Sequence, residues 1–471
     1  MKSLLVARSR DGVASPDDPG HGRARAARAA LRFGIMATIV QKFGGSSVGD
    51  AQRINRVAER VVAAADSGQR VCVVVSAMGD TTNELTHLAA QISPAPHARE
   101  LDMLLTAGER ISMALLSMAI IDRGREAVSF TGSQAGIVTD TMHGKALIVD
   151  VRARRVHEAL EAGKIVIVAG FQGVSTDYDV TTLGRGGSDT TAVALAAALD
   201  ADLCEIYTDV EGVFTADPRI VPHARKLHAV SWEEMLELAA CGARVLMLRS
   251  VEYARNHGVL VHVRSSFSEE QGTWVREEDE RMEQAIISGI AHDTSEAKVT
   301  LAQVPDQPGI AARVFRPLAD EGVNIDMIVQ NVSENGRTDI TFTIPKEDLA
   351  RAQPVLDAIA KQAGAKRVET DQDIGKVSLV GAGMKTHPGV AADMFDALAD
   401  DGINIDIIST SSIRVSCIVR AAEVERAVRA IHDRFRLSED VVLREEHPAT
   451  VTDQLRAVKP APVEPDASES S

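Results

Sequence analysis

The chain has 471 residues, enough for two or three domains. Apolar residues at 45% and charged residues at 25% give a globular balance, while 3% aromatics leave an aliphatic core. A net charge of −16 excludes a nucleic-acid surface spread over the whole molecule, and no apolar run reaches the roughly 20 residues that span a bilayer, so neither partner is expected. The four cysteines (Cys72, Cys204, Cys241, Cys417) lack metal-ligand or redox spacing. Buried thiols in a reducing cytoplasm are expected, and no protein-built metal site.

Residues 1–35 hold seven Lys/Arg against three Asp and lack the apolar core of a secretory signal. They read as a disordered N-terminal extension. From Met36 to Ser266, β-branched runs alternate with Ala/Leu-rich helical stretches. The strand segments are "ATIVQKF", "RVCVVVSAM", "AVSF", "KIVIVAGF" and "LCEIYTDV". Helical periodicity covers 50–66, 99–122, 151–162 and 188–200. Strands that are apolar on both faces and separated by helices predict a mainly parallel sheet between helix layers. Residues 267–284 are acidic and weakly apolar, a linker pattern.

Beyond 285 the chain repeats itself. "DQPGIAARVFRPLADEGVNID" (306–326) returns as "THPGVAADMFDALADDGINID" (386–406), identical at 12 of 21 positions. Each copy follows a strand, "KVTLAQV" or "KVSLVGA". Pro308 and Pro388 suit a first helical turn, and Gly322 and Gly402 a left-handed C-terminal cap. Another strand is expected from Asn324 or Asn404. Two tandem βαβ-type modules account for this, over 285–370 and 371–447, with strands that can interleave. The Pro/Ser/acid-rich stretch 448–471 reads as a disordered tail.

Four stretches carry chemistry. "QKFGGSS" ends the first strand with Lys42, a glycine pair and hydroxyls at the sheet edge where open α/β folds bind ligands. Glycine lets phosphate oxygens approach backbone amides, and Lys42 adds a point charge. The spacing is not that of a Walker A loop. "LGRGGSDTTA" sets Gly184, Arg185, Gly186 and Gly187 before a helix opened by Ser188 and Asp189, an anion-binding pattern. "YTDVEGVFTADPR" (207–219) and "LTAGERIS" (105–112) add Thr208, Asp209, Asp217, Arg219 and Glu109. Singly, each stretch also has a structural explanation: a turn, an Asp-capped helix, an Asp-Pro turn, a buried ion pair.

Together, and in this order, these motifs with "SAMGDTTN" resemble the amino-acid kinase superfamily, and within it the aspartate kinases, over about residues 37–445. The repeats resemble ACT modules, and "LGRGGSDTTAVALAAAL" with "RSVEYAR" is similar to the actinobacterial lysine-pathway type. The resemblance implies a three-layer αβα sandwich plus two C-terminal ferredoxin-like ACT domains. It implies ATP with Mg²⁺ as phosphoryl source and L-aspartate as acceptor. Lys42, Phe43, Gly44, Gly45, Ser46, Thr208, Asp209, Phe214, Asp217 and Arg219 would line the nucleotide site. Ser76, Thr82, Glu109, Arg185, Gly186 and Ser188 would surround aspartate, with Glu109 on its ammonium and Arg185 on its α-carboxylate. Asp189 would hold the cationic side chains in place.

The family commonly has "GAKVLHP" where this chain reads "GARVLMLR", placing Arg244 at the lysine position. A guanidinium can neutralise phosphate but is not equivalent to an ammonium. Lysine and threonine are the effectors the resemblance implies. Their sites would use Asp306, Gly309, Asn324, Asp326 and Gln330 in the first module, and His387, Asn404, Ile405 and Asp406 in the second. It implies ACT-mediated homo-oligomers, or assembly with a shorter ACT-containing product of the same gene. Kinases of the same fold acting on acetylglutamate, glutamate or carbamate remain alternatives, as do a non-catalytic amino-acid sensor and a structural assembly protein.

Overall fold

The computed structural model describes residues 37–278, 287–331, 335–385, 387 and 389–439. The expected extension 1–35 and tail 448–471 lie outside them.

The N-terminal half is built on β1 (Thr38–Phe43), β2 (Arg70–Val75), β3 (Ala127–Phe130), β4 (Ile137–Thr139), β5 (Ile148–Val151) and β6 (Ile165–Ala169). It continues with β7 (Gln172–Ser175), β8 (Val180–Thr182), β9 (Leu203–Thr208), β10 (Ala229–Ser231), β11 (Val261–Ser265) and β12 (Thr273–Arg276). Eight strands form one sheet in the order β10-β12-β11-β9-β1-β2-β6-β3. Every neighbouring pair is parallel except β11–β12.

All six residues of β1 are buried, as a strand covered on both faces requires. Ile39, Val71, Val73 and Ile167 pack with Ile54, Val57 and Leu116 of helices Ala51–Asp66 and Ala107–Asp122. Val40, Val74 and Val168 pack on the opposite side with Val156, Leu195 and Val251 of helices Arg154–Glu161, Gly187–Ala198 and Leu248–His257. The result is the expected αβα sandwich. A smaller sheet, β5-β4-β7-β8, flanks it.

Three details depart from the sequence expectations. Residues 273–276, read within a linker, form β12 with Thr273 and Val275 buried, a strand too short to show a period. The helical stretch 99–122 divides into Ala98–Leu105 and Ala107–Asp122 around Thr106. Together, residues 98–122 do have the length and apolar composition of a membrane-crossing helix. They also bury Asp102 and Glu109 within the fold.

The C-terminal half comprises β13 (Gly289–Asp293), β14 (Glu296–Pro305), β15 (Ile328–Gln330), β16 (Arg337–Pro345), β17 (Arg367–Asp371), β18 (Ile374–Val380), β19 (Ile407–Thr410) and β20 (Arg414–Arg420). It forms two four-stranded antiparallel sheets, β15-β16-β14-β17 and β13-β18-β20-β19. Each sheet is backed by two helices, Ile310–Asp320 with Leu349–Ala363 and Val390–Asp400 with Val424–Arg434.

The modules are therefore ferredoxin-like rather than simple βαβ units, and they are interleaved rather than strictly tandem. The second module takes its edge strand, β13, from chain that precedes the first. Gly322 and Gly402 adopt φ +69° and +67°, as expected of left-handed caps. Pro308 lies before the helix instead of in its first turn, because Gly309 at φ +88° is the N-cap residue. The strands after Asn324 and Asn404 begin only at Ile328 and Ile407. The modules exchange crossed ion pairs at equivalent repeat positions: Lys376 to Asp326 at 2.5 Å, and Lys298 to Asp406 at 2.7 Å.

Candidate active site

The glycine loops converge at the carboxyl ends of the central strands. Lys42, at the penultimate position of β1, puts its Nζ 2.6 Å from Asp189 Oδ1 in the first turn of helix Gly187–Ala198. Both side chains are buried. A Cβ on Gly44 would lie 3.4 Å from Lys42 Nζ. A Cβ on Gly45 would come within 2.9 Å of Ala77 O and 3.1 Å of Gly79 O, while the Gly79 N–H donates to Gly45 O at 3.0 Å. The glycine pair thus lets the loop after β1 pass close to the ammonium at Gly44 and to the 77–79 segment at Gly45. Ser46 gives its carbonyl to Arg53 Nη1 at 2.7 Å. Phe43 is 1% exposed and stacks on Tyr207, ring centroids 4.7 Å apart, so its side chain serves the core beneath the loop.

The end of β2 lies alongside. Ser76 N–H donates to Phe43 O at 3.1 Å, and Ala77 N–H donates to Glu109 Oε1 at 3.1 Å. Gly108 permits this approach, since a Cβ there would sit 2.6 Å from Ala77 Cβ. Glu109 is 3% exposed, its Oε2 has no partner among the described residues, and burial raises its pKa to about 7. A buried carboxyl with one free oxygen suits an incoming cation. Thr82 is half-buried in the first turn of helix Thr81–Ile92.

The loop from Gly184 to Gly187 needs its glycines. Gly184 and Gly186 have φ of +76° and +69°, and a Cβ on Gly186 would overlap Met247 Cγ at 1.8 Å. A Cβ on Gly170, at the end of β6, would lie 2.7 Å from Ser188 Oγ, so strand and helix start touch. Arg185 stands exposed at the loop's crest, whereas Ser188 is buried.

A second group gathers beside β13. Asp217 accepts from Arg219 through Nε at 3.0 Å and Nη2 at 2.6 Å, which holds its carboxyl below the ordinary carboxylate range. Arg244 is exposed on the turn after helix Trp232–Ala240. Burial lowers the His292 pKa, with Arg219 and Arg244 adding to the effect against Asp217 and Asp293. A Cβ on Gly242 would meet His292 O at 2.2 Å, so the Arg244 turn rests on β13. Thr208 Oγ1 donates to Asp209 Oδ1 at 3.1 Å beyond β9, and Phe214 bridges to Lys226. Lys42, Asp189, Glu109 and the Gly184–Ser188 loop thus form one cluster. Asp217, Arg219 and Arg244 form another around His292.

The effector positions spread over both modules. Asp326 and Asp406 are engaged by Lys376 and Lys298. His387 Nδ1 lies 2.9 Å from Gly383 O, and Ile405 packs on the second module's core. Asn324, Gln330 and Asn404 are exposed, Asp306 N–H donates to Gly336 O at 2.9 Å, and Gly309 caps its helix.

Sequence reasoning missed Asp102, Glu234 and Arg249. Asp102 is 1% exposed and accepts from Thr182 Oγ1 at 2.5 Å and Gly144 N–H at 3.1 Å. Glu234 caps its own helix through Ser231 and accepts the Ala382 N–H of the second module at 3.0 Å. Only Arg249 had a signal, as the first residue of "RSVEYAR".

A strand-edge cluster of this kind on an αβα sandwich, joined to paired regulatory modules, defines an amino-acid kinase under ACT control. The amino acid kinase family model matches residues 37–265, and ACT domain models match 298–364 and 377–435. The aspartokinase of Mycolicibacterium smegmatis is 62% identical over 410 residues, 86% of this chain and 97% of that protein. That of Corynebacterium glutamicum is 60% identical over 407 residues, 85% and 97% respectively. E. coli aspartokinase III in complex with aspartate and ADP (R-state) is similar in fold, with TM-score 0.73 and 27% identity over 84% of this chain and 99% of that one. Its complex with lysine and aspartate (T-state) gives TM-score 0.65 at the same identity and the same coverage. The chain belongs to the aspartokinase family.

Proposed function

We propose that the chain transfers the γ-phosphoryl group of ATP to the β-carboxylate of L-aspartate, giving 4-phospho-L-aspartate. That carboxylate has a reference pKa of about 3.9 and is ionised at neutral pH, so no general base is required. Repulsion between the two anions is the obstacle, and positioning with charge neutralisation is the remedy. The Lys42–Asp189 contact carries the reading: it sets a buried ammonium beside the Gly44–Gly45 pair at the carboxyl end of the sheet, where a phosphate can meet it.

Each residue then has a task. Lys42, Gly44, Gly45 and Ser46 meet the nucleotide phosphates, and Asp189 fixes the ammonium. Thr208, Asp209, Phe214, Asp217 and Arg219 border the nucleotide, and Arg244, which gathers with Asp217 and Arg219 around His292 instead of with Lys42, adds positive charge on that side of it. Phe43 supports the loop from below. Glu109 receives the substrate ammonium through its free Oε2, Arg185 the α-carboxylate, and Ser76, Thr82, Gly186 and Ser188 close the pocket. Mg²⁺ bound with the nucleotide would neutralise part of the phosphate charge, and the acidic Asp209 is suited to face it. Four buried free thiols favour a reducing cytoplasm.

Lysine and threonine act on the ACT modules by binding a less active state more tightly, through the effector positions named above. Exposed Ile328 and Ile408 on edge strands β15 and β19 favour pairing of these sheets between copies, or with a shorter ACT-containing product of the same gene.

ADP release with aspartate, paired with hydroxylamine trapping of the acyl phosphate, tests the activity. Equal yields of ADP and aspartyl hydroxamate are expected. Trapping only with acetylglutamate, glutamate or carbamate would overturn the substrate assignment.

A further inference from the structure

The "RSVEYAR" stretch opens with Arg249, in the first turn of helix Leu248–His257. Its Nη1 donates to Leu183 O at 2.7 Å and its Nη2 to Ala146 O at 2.8 Å. Leu183 immediately precedes the Gly184–Arg185–Gly186 loop. Ala146 closes the turn that supports it, since a Cβ on Gly184 would lie 3.1 Å from Gly144 O. The same two segments are joined by Ala146 N–H to Thr182 O at 2.9 Å. From the other side, Asp102 accepts from Thr182 Oγ1 and Gly144 N–H. Met247, two residues before Arg249, fills the space a Gly186 side chain would need.

The substrate loop is thus clamped between a cation from one helix and an anion from another. Burial lowers the Arg249 pKa, with Asp140 and Glu252 opposing it, so holding a charged guanidinium here has a cost. A spacer would be served equally well by an apolar side chain. Only a guanidinium fork donates to two carbonyls at once in a fixed plane.

We propose that Arg249 is a positioning residue for the substrate: by holding Leu183 O and Ala146 O it fixes the loop geometry in which Arg185 meets the α-carboxylate. The assignment rests on the role given to Arg185 above. Arg249 itself touches no substrate, and a displacement of about 1 Å at the loop is enough to cost on the order of 10²-fold.

The test uses the full chain with Arg249→Met, Arg249→Lys and Asp102→Asn, varying aspartate and ATP separately and recording thermal midpoints. Arg249→Met should raise the aspartate KM by about tenfold or more while leaving the ATP KM within about twofold. Arg249→Lys, with one ammonium for two carbonyls, should fall between, and Asp102→Asn should show the same split. An unchanged aspartate KM in a folded Arg249→Met protein overturns the proposal. So do both KM values rising together in step with lost thermal stability. If Arg249→Met does not fold, unchanged aspartate KM in the other two variants overturns it equally. Wild-type protein that forms no acyl phosphate from aspartate would instead remove the reading of the site, and this assignment with it.

Discussion

Lys42 and Asp189 stand 147 positions apart in sequence and 2.6 Å apart in space, joining the end of β1 to the start of helix Gly187–Ala198. The pair is nearly dry, so its energetics are those of a buried ion pair. Removing one partner strands the other, at a cost of about 3–5 kcal/mol, whereas replacing both by apolar groups can be neutral. Asp189→Ala should therefore lower the thermal midpoint markedly, and Lys42→Met/Asp189→Leu should recover most of the loss. A double variant as unstable as the sum of the singles would contradict this.

Glu109 supplies a pH signature. Burial raises its folded pKa to about 7 from an ordinary 4.5. Its contribution to stability is fully present below about 4.5 and is lost as pH rises through about 7. Substrate ammonium needs the carboxylate form, so the aspartate KM should fall as pH rises through about 7. Glu109→Gln should flatten that limb while raising the KM throughout. An unchanged inflection in Glu109→Gln would assign the titration elsewhere.

Gly45→Ala tests the phosphate cradle. The added methyl meets two backbone oxygens, of Ala77 and Gly79, which cannot swing aside as a side chain can. The ATP KM should rise by about tenfold, with a smaller change for aspartate, on the scale that misplacing a bound group by a fraction of an ångström produces. Equal effects on both substrates would argue for general damage to the sheet edge.

The crossed ion pairs are unequal. Burial pulls the Lys376 pKa down, but Glu296 and Asp326 push it above that of an ordinary lysine. Its side chain is 1% exposed, against 19% for Lys298. Lys376→Met should thus cost about 3–5 kcal/mol, and Lys298→Met about 1 kcal/mol or less, compared by thermal melts. The reverse order would show that the module interface opens at Lys376 in solution.

Much of this was legible locally. "AVSF" coincides with β3, and the glycine clusters mark the loops that converge. Backbone needs leave a residue-type trace: φ +69° at Gly186 demands glycine whatever lies nearby. Pairing leaves none. Nothing in "GIAHD" says that β13 pairs with β18, beyond the whole first module. Thr273–Arg276 is too short to display alternation, and Gly309 took the cap position that Pro308 suggested for the helix itself. Arg249 grips backbone carbonyls, and Asp102 a backbone N–H and a threonine hydroxyl, of distant segments, a role with no local periodicity to betray it.

The central claim is that separate loops bring Lys42 to the reacting phosphate. It is tested most directly by trapping aspartyl phosphate as hydroxamate with wild-type and Lys42→Met proteins at saturating ATP and aspartate. A loss of about 10²–10³-fold in turnover, with the variant still folded, is the expected result. A folded Lys42→Met protein retaining more than about a tenth of wild-type turnover would contradict it.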